Sequence, residues 1–105
     1  MSNSNLSTMR VVLVEEELQF TLIELGHACH AETQRLVELV EEGVLTPSGE
    51  GLADWRFAGV SLRRARTALR LMHELELTAP AVALVLDLLD RIDGLRSRLR
   101  QAGLS

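Results

Sequence analysis

A helical repeat of apolar residues runs through the second half of this chain and breaks once, and it restricts the fold more than any other feature. Leu62, Ala65, Leu69, Met72 and Leu75 recur at steps of three and four, the spacing that puts side chains on one face of a helix. Ser61, just before them, is placed to cap that helix. The repeat stops at Thr78-Ala79-Pro80, where the threonine can cap and the proline suits a first turn whose N–H groups have no intrahelical acceptor. A last helix then extends to about Ala102, roughly 36 Å at 1.5 Å per residue. The chain is 47% apolar yet holds one Trp, two Phe and no Tyr, so its core has to be aliphatic, which suits helices rather than a β-sandwich. At 105 residues it has material for one modest core.

The first half reads as short elements. Residues 1–9 are polar, and we expect a frayed terminus with no signal peptide. From Arg10 to Phe20 the run Val11-Val12-Leu13-Val14 suggests a short strand. Thr21-Leu22-Ile23-Glu24 has capping-box spacing, predicting a helix to about Ala28. A second helix is expected from Ala31, with Leu36, Leu39 and Val40 on one face and Gly43 to end it. Two short helices joined tightly make a helix-turn-helix. Pro47, Gly49 and Gly51 then favour turns before a candidate strand Trp55-Arg56-Phe57, a small wing. Trp55 suits the core better than a partner's surface. The expected architecture is mostly α: a winged helix-turn-helix domain over 10–78, with a short N-terminal strand, and a long C-terminal helix over 79–105.

Charge divides the chain. Residues 1–54 hold ten acids against Arg10 and Arg35, a charge of −8, whereas residues 55–105 hold nine arginines against five acids, +4. Such asymmetry steers association toward surfaces of opposite sign. On the last helix, Val85, Leu88, Ile92, Leu95, Leu99 and Ala102 follow steps of 3, 4, 3, 4 and 3, a narrow seam of the kind that meets another helix. The seam could fold back on the preceding helix of its own chain. The charged flanks from Asp87 onward instead favour a second copy, and we expect a homodimer.

Little else points to chemistry. The single Cys29 cannot form an internal disulfide, consistent with a cytoplasmic protein. The longest apolar run, Ala81 to Leu86, is far short of the roughly 20 residues a bilayer requires. His27, Cys29 and His30 lack the paired ligands, from two segments, of a structural zinc site. No phosphate-binding glycine loop or nucleophile–base pattern is present, so neither an enzyme nor a cofactor is expected.

The order helix-turn-helix, wing, helix, long terminal helix resembles the DNA-binding domains of MerR-type regulators. Residues 20–101 are more specifically similar to the CbpM family of chaperone modulators, through Arg70-Leu71, His73-Glu74-Leu75, Thr78-Ala79-Pro80 and Leu86-Asp87-Leu88-Leu89-Asp90. This resemblance implies a MerR-like fold and a dimer that binds the J domain of a CbpA-like co-chaperone, a DnaJ homologue. By doing so it would inhibit that protein's cooperation with the Hsp70 chaperone DnaK. One departure is His30, where MerR-like domains often carry glycine, which bears on the geometry of the turn.

The alternative is a MerR-like DNA-binding regulator. DNA affinity comes largely from neutralising phosphates with basic side chains, and the second helix offers Glu32, Glu38, Glu41 and Glu42 against Arg35 alone. The wing adds Glu50 and Asp54. Against this stand Arg63, Arg64, Arg66 and Arg70 on the third helix. J domains present a basic helix, so Glu38, Glu41 and Glu42, helped by Glu24 or Asp54, are the candidate partner-binding residues; the same acids could also form an ordinary solvated face. Val85, Leu88, Ile92, Leu95 and Leu99 are the candidate dimerisation residues. No nucleic acid or membrane partner is expected.

Overall fold

A computed structural model of the chain describes residues 18–103. Residues 1–9, expected to fray, and most of the strand expected from Arg10 lie outside the described residues. The end of that strand is β1, Gln19–Phe20, which pairs antiparallel with β2, Phe57–Ala58, setting Gln19 opposite Ala58 and Phe20 opposite Phe57.

The pair delivers the chain to α1 (Leu22–Cys29) through the capping box read from the sequence. The Glu24 N–H donates to the Thr21 hydroxyl at 3.1 Å, and the Thr21 N–H donates to the Glu24 carboxylate at 2.8 Å. Helix α1 ends at His30 in the left-handed region, φ 53°, while the Ala31 N–H donates to the Gly26 carbonyl at 3.0 Å. A side chain is disfavoured in that conformation, so His30 holds, at some cost, the place where MerR-like domains often carry glycine. It is Gly26, buried inside α1, that gives the turn room: a Cβ there would stand 3.0 Å from the Ala31 carbonyl oxygen. Because Ala31 and Glu32 are taken up in this turn, α2 spans Thr33–Glu41 and starts two residues later than expected. It ends at Gly43, φ 77°, with the Val44 N–H returning to the Leu39 carbonyl at 2.9 Å.

The wing is closed by Ser48 and Arg56, which exchange backbone hydrogen bonds at 3.0 Å. At its tip Gly49 adopts φ 101° directly beneath the Asp54 carbonyl, where a Cβ would overlap that oxygen. A 3-10 turn, Leu52–Asp54, completes it. The strand expected at Trp55–Phe57 therefore starts two residues later and ends one later, at Phe57–Ala58, the position that β1 can reach.

Helix α3 spans Gly59–Leu75. Ser61 is not its cap; it is buried within the first turn, and Ala58 holds the cap position without a side-chain hydrogen bond. Pairing of Ala58 with Gln19 already fixes the entry, which removes the need for a capping hydroxyl. The buried line of α3 is Leu62, Ala65, Ala68 and Met72. Leu69 is only half-buried and Leu75 is 59% exposed, contrary to the stripe read from the sequence. The fully buried alanines turn the contact line one position away from Leu69, and Leu75 stands at the helix end, where Glu76 enters the left-handed region at φ 53°.

Helix α4 spans Ala79–Gln101, with the Ala81 N–H donating to the Thr78 hydroxyl at 3.3 Å and proline in the first turn. The core forms where Leu25 of α1, Leu36 and Leu39 of α2, Val44, Leu45, Phe57, the α3 line, and Ala79, Val82 and Leu86 of α4 meet. Trp55 is half-buried against this core, edge-on to Phe57 with ring centroids 6.0 Å apart. Leu86 is the last buried residue of α4; from Asp87 to Gly103 the helix and its end are exposed apart from half-buried Ser97.

Candidate functional site

The amphipathic α2 turns Leu36 and Leu39 into the core, leaves Glu38 half-buried and exposes Glu41 and Glu42. Residues three and four apart share a helix face, so Glu38, Glu41 and Glu42 form one acidic surface on the last turn. Arg35, one turn earlier, is exposed. Carboxylates at a helix C-terminus face the negative end of the helix dipole and cost stability there. The arrangement concentrates negative potential without serving the fold.

Glu24 and Asp54 lie elsewhere. Glu24 opens α1, its carboxylate engaged by the Thr21 N–H, with Arg56 of the wing near enough to act on it electrostatically. Asp54 is exposed on the wing's 3-10 turn, its N–H donating to the Gly51 carbonyl at 2.8 Å. Arg56 itself reaches the Trp55 and Ala53 carbonyls at 2.8 and 3.5 Å. The five acids thus divide into a cluster on α2, Glu24 at the start of α1 and Asp54 on the wing.

Hydrogen bonds from the Thr21 backbone and hydroxyl, with a smaller contribution from Arg56, hold the Glu24 carboxyl below its ordinary value of 4.5. A lowered value means that ionised Glu24 adds stability above 4.5, lost as the pH falls through its folded value. Glu24→Gln removes this contribution, so its melting temperature should trail the native chain's at neutral pH and converge with it in acid. Thermal circular dichroism across that range checks the sign.

The expected seam on α4 divides at Leu86. Val85 is half-buried within the domain, so the exposed seam begins at Leu88, one step later than expected. Leu88, Ile92, Leu95 and Leu99 are 48%, 43%, 57% and 45% exposed. Leu84 and Leu89, 60% and 44% exposed, widen this surface at its base and were not part of the seam read from the spacing. The first turns of the helix fold back on the domain, and the remainder does not.

The arginines of α3 are not a free basic patch. The Arg64 Nε donates to the Val44 carbonyl at 2.8 Å, and its terminal nitrogens meet the Asp90 carboxylate at 3.0 and 3.4 Å. Arg63 is half-buried, while Arg66 and Arg70 are exposed. A groove of about 620 Å³ lies between the helix-turn-helix turn and the end of α3, bordered by Cys29, His30, Glu32, Arg35 and Met72. Burial pushes the Cys29 thiol up, against an opposing effect of Arg66, and a raised value disfavours the thiolate. Among the described residues no cluster of His, Cys, Asp and Glu could hold a metal ion, and no helix is long and apolar enough to cross a membrane.

Helix-turn-helix, wing and long terminal helix define a MerR-type protein, and residues 20–102 match the family model described as MerR HTH family regulatory protein. The chain is 35% identical over 89 residues, 85% of its length and 84% of the relative's, to the chaperone modulatory protein CbpM of Coxiella burnetii. CbpM proteins of Pseudomonas putida are 40% identical over 80 residues (76% of this chain, 79% of theirs) and, in strain W619, 44% identical over 62 (59% and 61%). The chain belongs to the CbpM family of chaperone modulatory proteins.

Proposed function

We propose that this protein is a chaperone modulator that binds the J domain of a CbpA-like, DnaJ-type co-chaperone and inhibits its cooperation with the Hsp70 chaperone DnaK. The observation that carries this reading is the acidic last turn of α2. Where a DNA-binding relative would place its recognition helix, this chain presents Glu38, Glu41 and Glu42 and so suits a basic protein surface. Isothermal titration of the protein into the purified J domain, at low and high salt, tests it. Saturable binding that weakens with salt is expected, and no detectable binding would overturn the reading.

The match to a regulatory helix-turn-helix family favours a second reading, a transcriptional regulator. Its best support, the α3 arginines, is reduced by the use of Arg64 within the fold. Retention of genomic DNA fragments in a gel shift at physiological salt would favour it over the chaperone reading.

The exposed seam of α4 is where two copies would join. Contiguous leucines rimmed by charge mark an association surface, and Leu88, Ile92, Leu95 and Leu99 are its center. Leu95→Arg is expected to convert a dimer into a monomer by placing charge in the seam. Since Leu95 is already more than half exposed, thermal stability measured on dilute protein should change little. Sedimentation velocity at micromolar concentration reads the outcome, and a monomeric native chain would remove the seam from this role.

A further inference from the structure

Arg64 joins three parts of the chain with one side chain. Its Nε is tied to the carbonyl of buried Val44, which follows Glu41, Glu42 and Gly43 directly, so the bond reports where α2 ends. Its terminal nitrogens take the carboxylate of Asp90 as a two-pronged pair, a geometry that the planar guanidinium provides and a lysine ammonium does not. Asp90 lies one turn beyond Leu86, the last buried residue of α4. The pair therefore grips the helix outside the core, where no buried side chain holds it.

An ion pair with its aspartate 57% exposed adds little to stability. Its other consequence is directional. The buried anchors Ala79, Val82 and Leu86 hold only the first turns of α4, and a further attachment at Asp90 lengthens the base from which the exposed helix projects. We infer that Arg64 is a positioning residue that sets the angle at which the exposed length of α4 leaves the domain. The acidic end of α2 is thereby held at a set distance from the leucine seam. Its usefulness rests on the J-domain and dimer reading above, because a fixed angle would space the two acidic surfaces of a dimer; the geometry itself does not.

Spin labels report that angle directly. In a Cys29→Ser background, labels at Glu41→Cys and Arg98→Cys, diluted with unlabelled chain, give the distance within one chain by pulsed electron spin resonance. Asp90→Ala and Arg64→Lys are expected to broaden the distribution roughly twofold. Asp87→Ala, which breaks the pair with Arg91 inside α4 (3.2 Å) and does not touch the Arg64 contact, should leave it unchanged. A distribution in Asp90→Ala as narrow as the parent's overturns the inference. Equal broadening in Asp87→Ala would overturn it too, because helix stiffness rather than the Arg64 contact would then set the angle. Asp90 is exposed, so its loss should leave the fold intact, as helical circular dichroism will show. Neither readout depends on whether a J domain binds, so failure of that reading and of this one are seen separately.

Discussion

Phe57→Ala is expected to destabilise the protein by about 3–5 kcal/mol, the cost of emptying a fully buried aromatic site. Phe57 is 0% exposed. It is one half of the pairing with Phe20, the edge-on partner of Trp55, and it lies two residues before the start of α3. The chain has only two phenylalanines and one tryptophan, so few aromatic side chains are available to refill the space. Its loss should release the wing and β1 together, and Trp55 offers the measurement: denaturant unfolding followed by tryptophan fluorescence and by far-ultraviolet circular dichroism. A midpoint lowered in both, with Trp55 already solvent-like before the helices melt, is the expected result. Coincident transitions close to the native midpoint would mean that the wing contributes little to the core. Leu52→Ala, on the exposed tip of the same wing, is the control and should change stability by less than about 0.5 kcal/mol.

The features legible in the sequence were those whose determinants lie close together along the chain. The Thr21–Glu24 capping box and the Thr78–Pro80 start of α4 each occupy a few residues, and both stand where they were expected. The misplaced features depend on distant partners. Ser61 fits a cap by its neighbours, but pairing of Gln19 with Ala58 starts α3 before it. Leu69 and Leu75 fit the helical period, yet the alanines at 65 and 68 decide which line meets the core. Gly26 has no signal of its own in the sequence, and only the approach of Ala31 shows its use. The contacts of Arg64 cross 20 and 26 positions, which no local pattern signals. The acidic turn of α2 and the seam of α4 were readable as surfaces because each is a single helix face; where the seam emerges from the core was not.

A charge reversal on α2 should separate stability from binding, since the two are expected to move in opposite directions. Glu41 and Glu42 occupy the last residue and the cap of the helix, where the dipole disfavours acids and favours bases. Glu41→Lys/Glu42→Lys should therefore leave the fold unharmed or stabilise it by about 0.3–1 kcal/mol. Both side chains are exposed, so no packing is lost. Binding to a J domain should weaken about tenfold or more, largely through slower association, because charges at the edge of an interface act mainly on encounter. The native chain's affinity should fall with salt, whereas the variant's should fall less or rise, since screening then relieves repulsion. Stopped-flow association at two ionic strengths, with a thermal melt of each protein, decides the matter. A variant that is at least as stable and binds more slowly would place the interface on α2; unchanged association would remove this face from it and return attention to Glu24 on α1 and Asp54 on the wing.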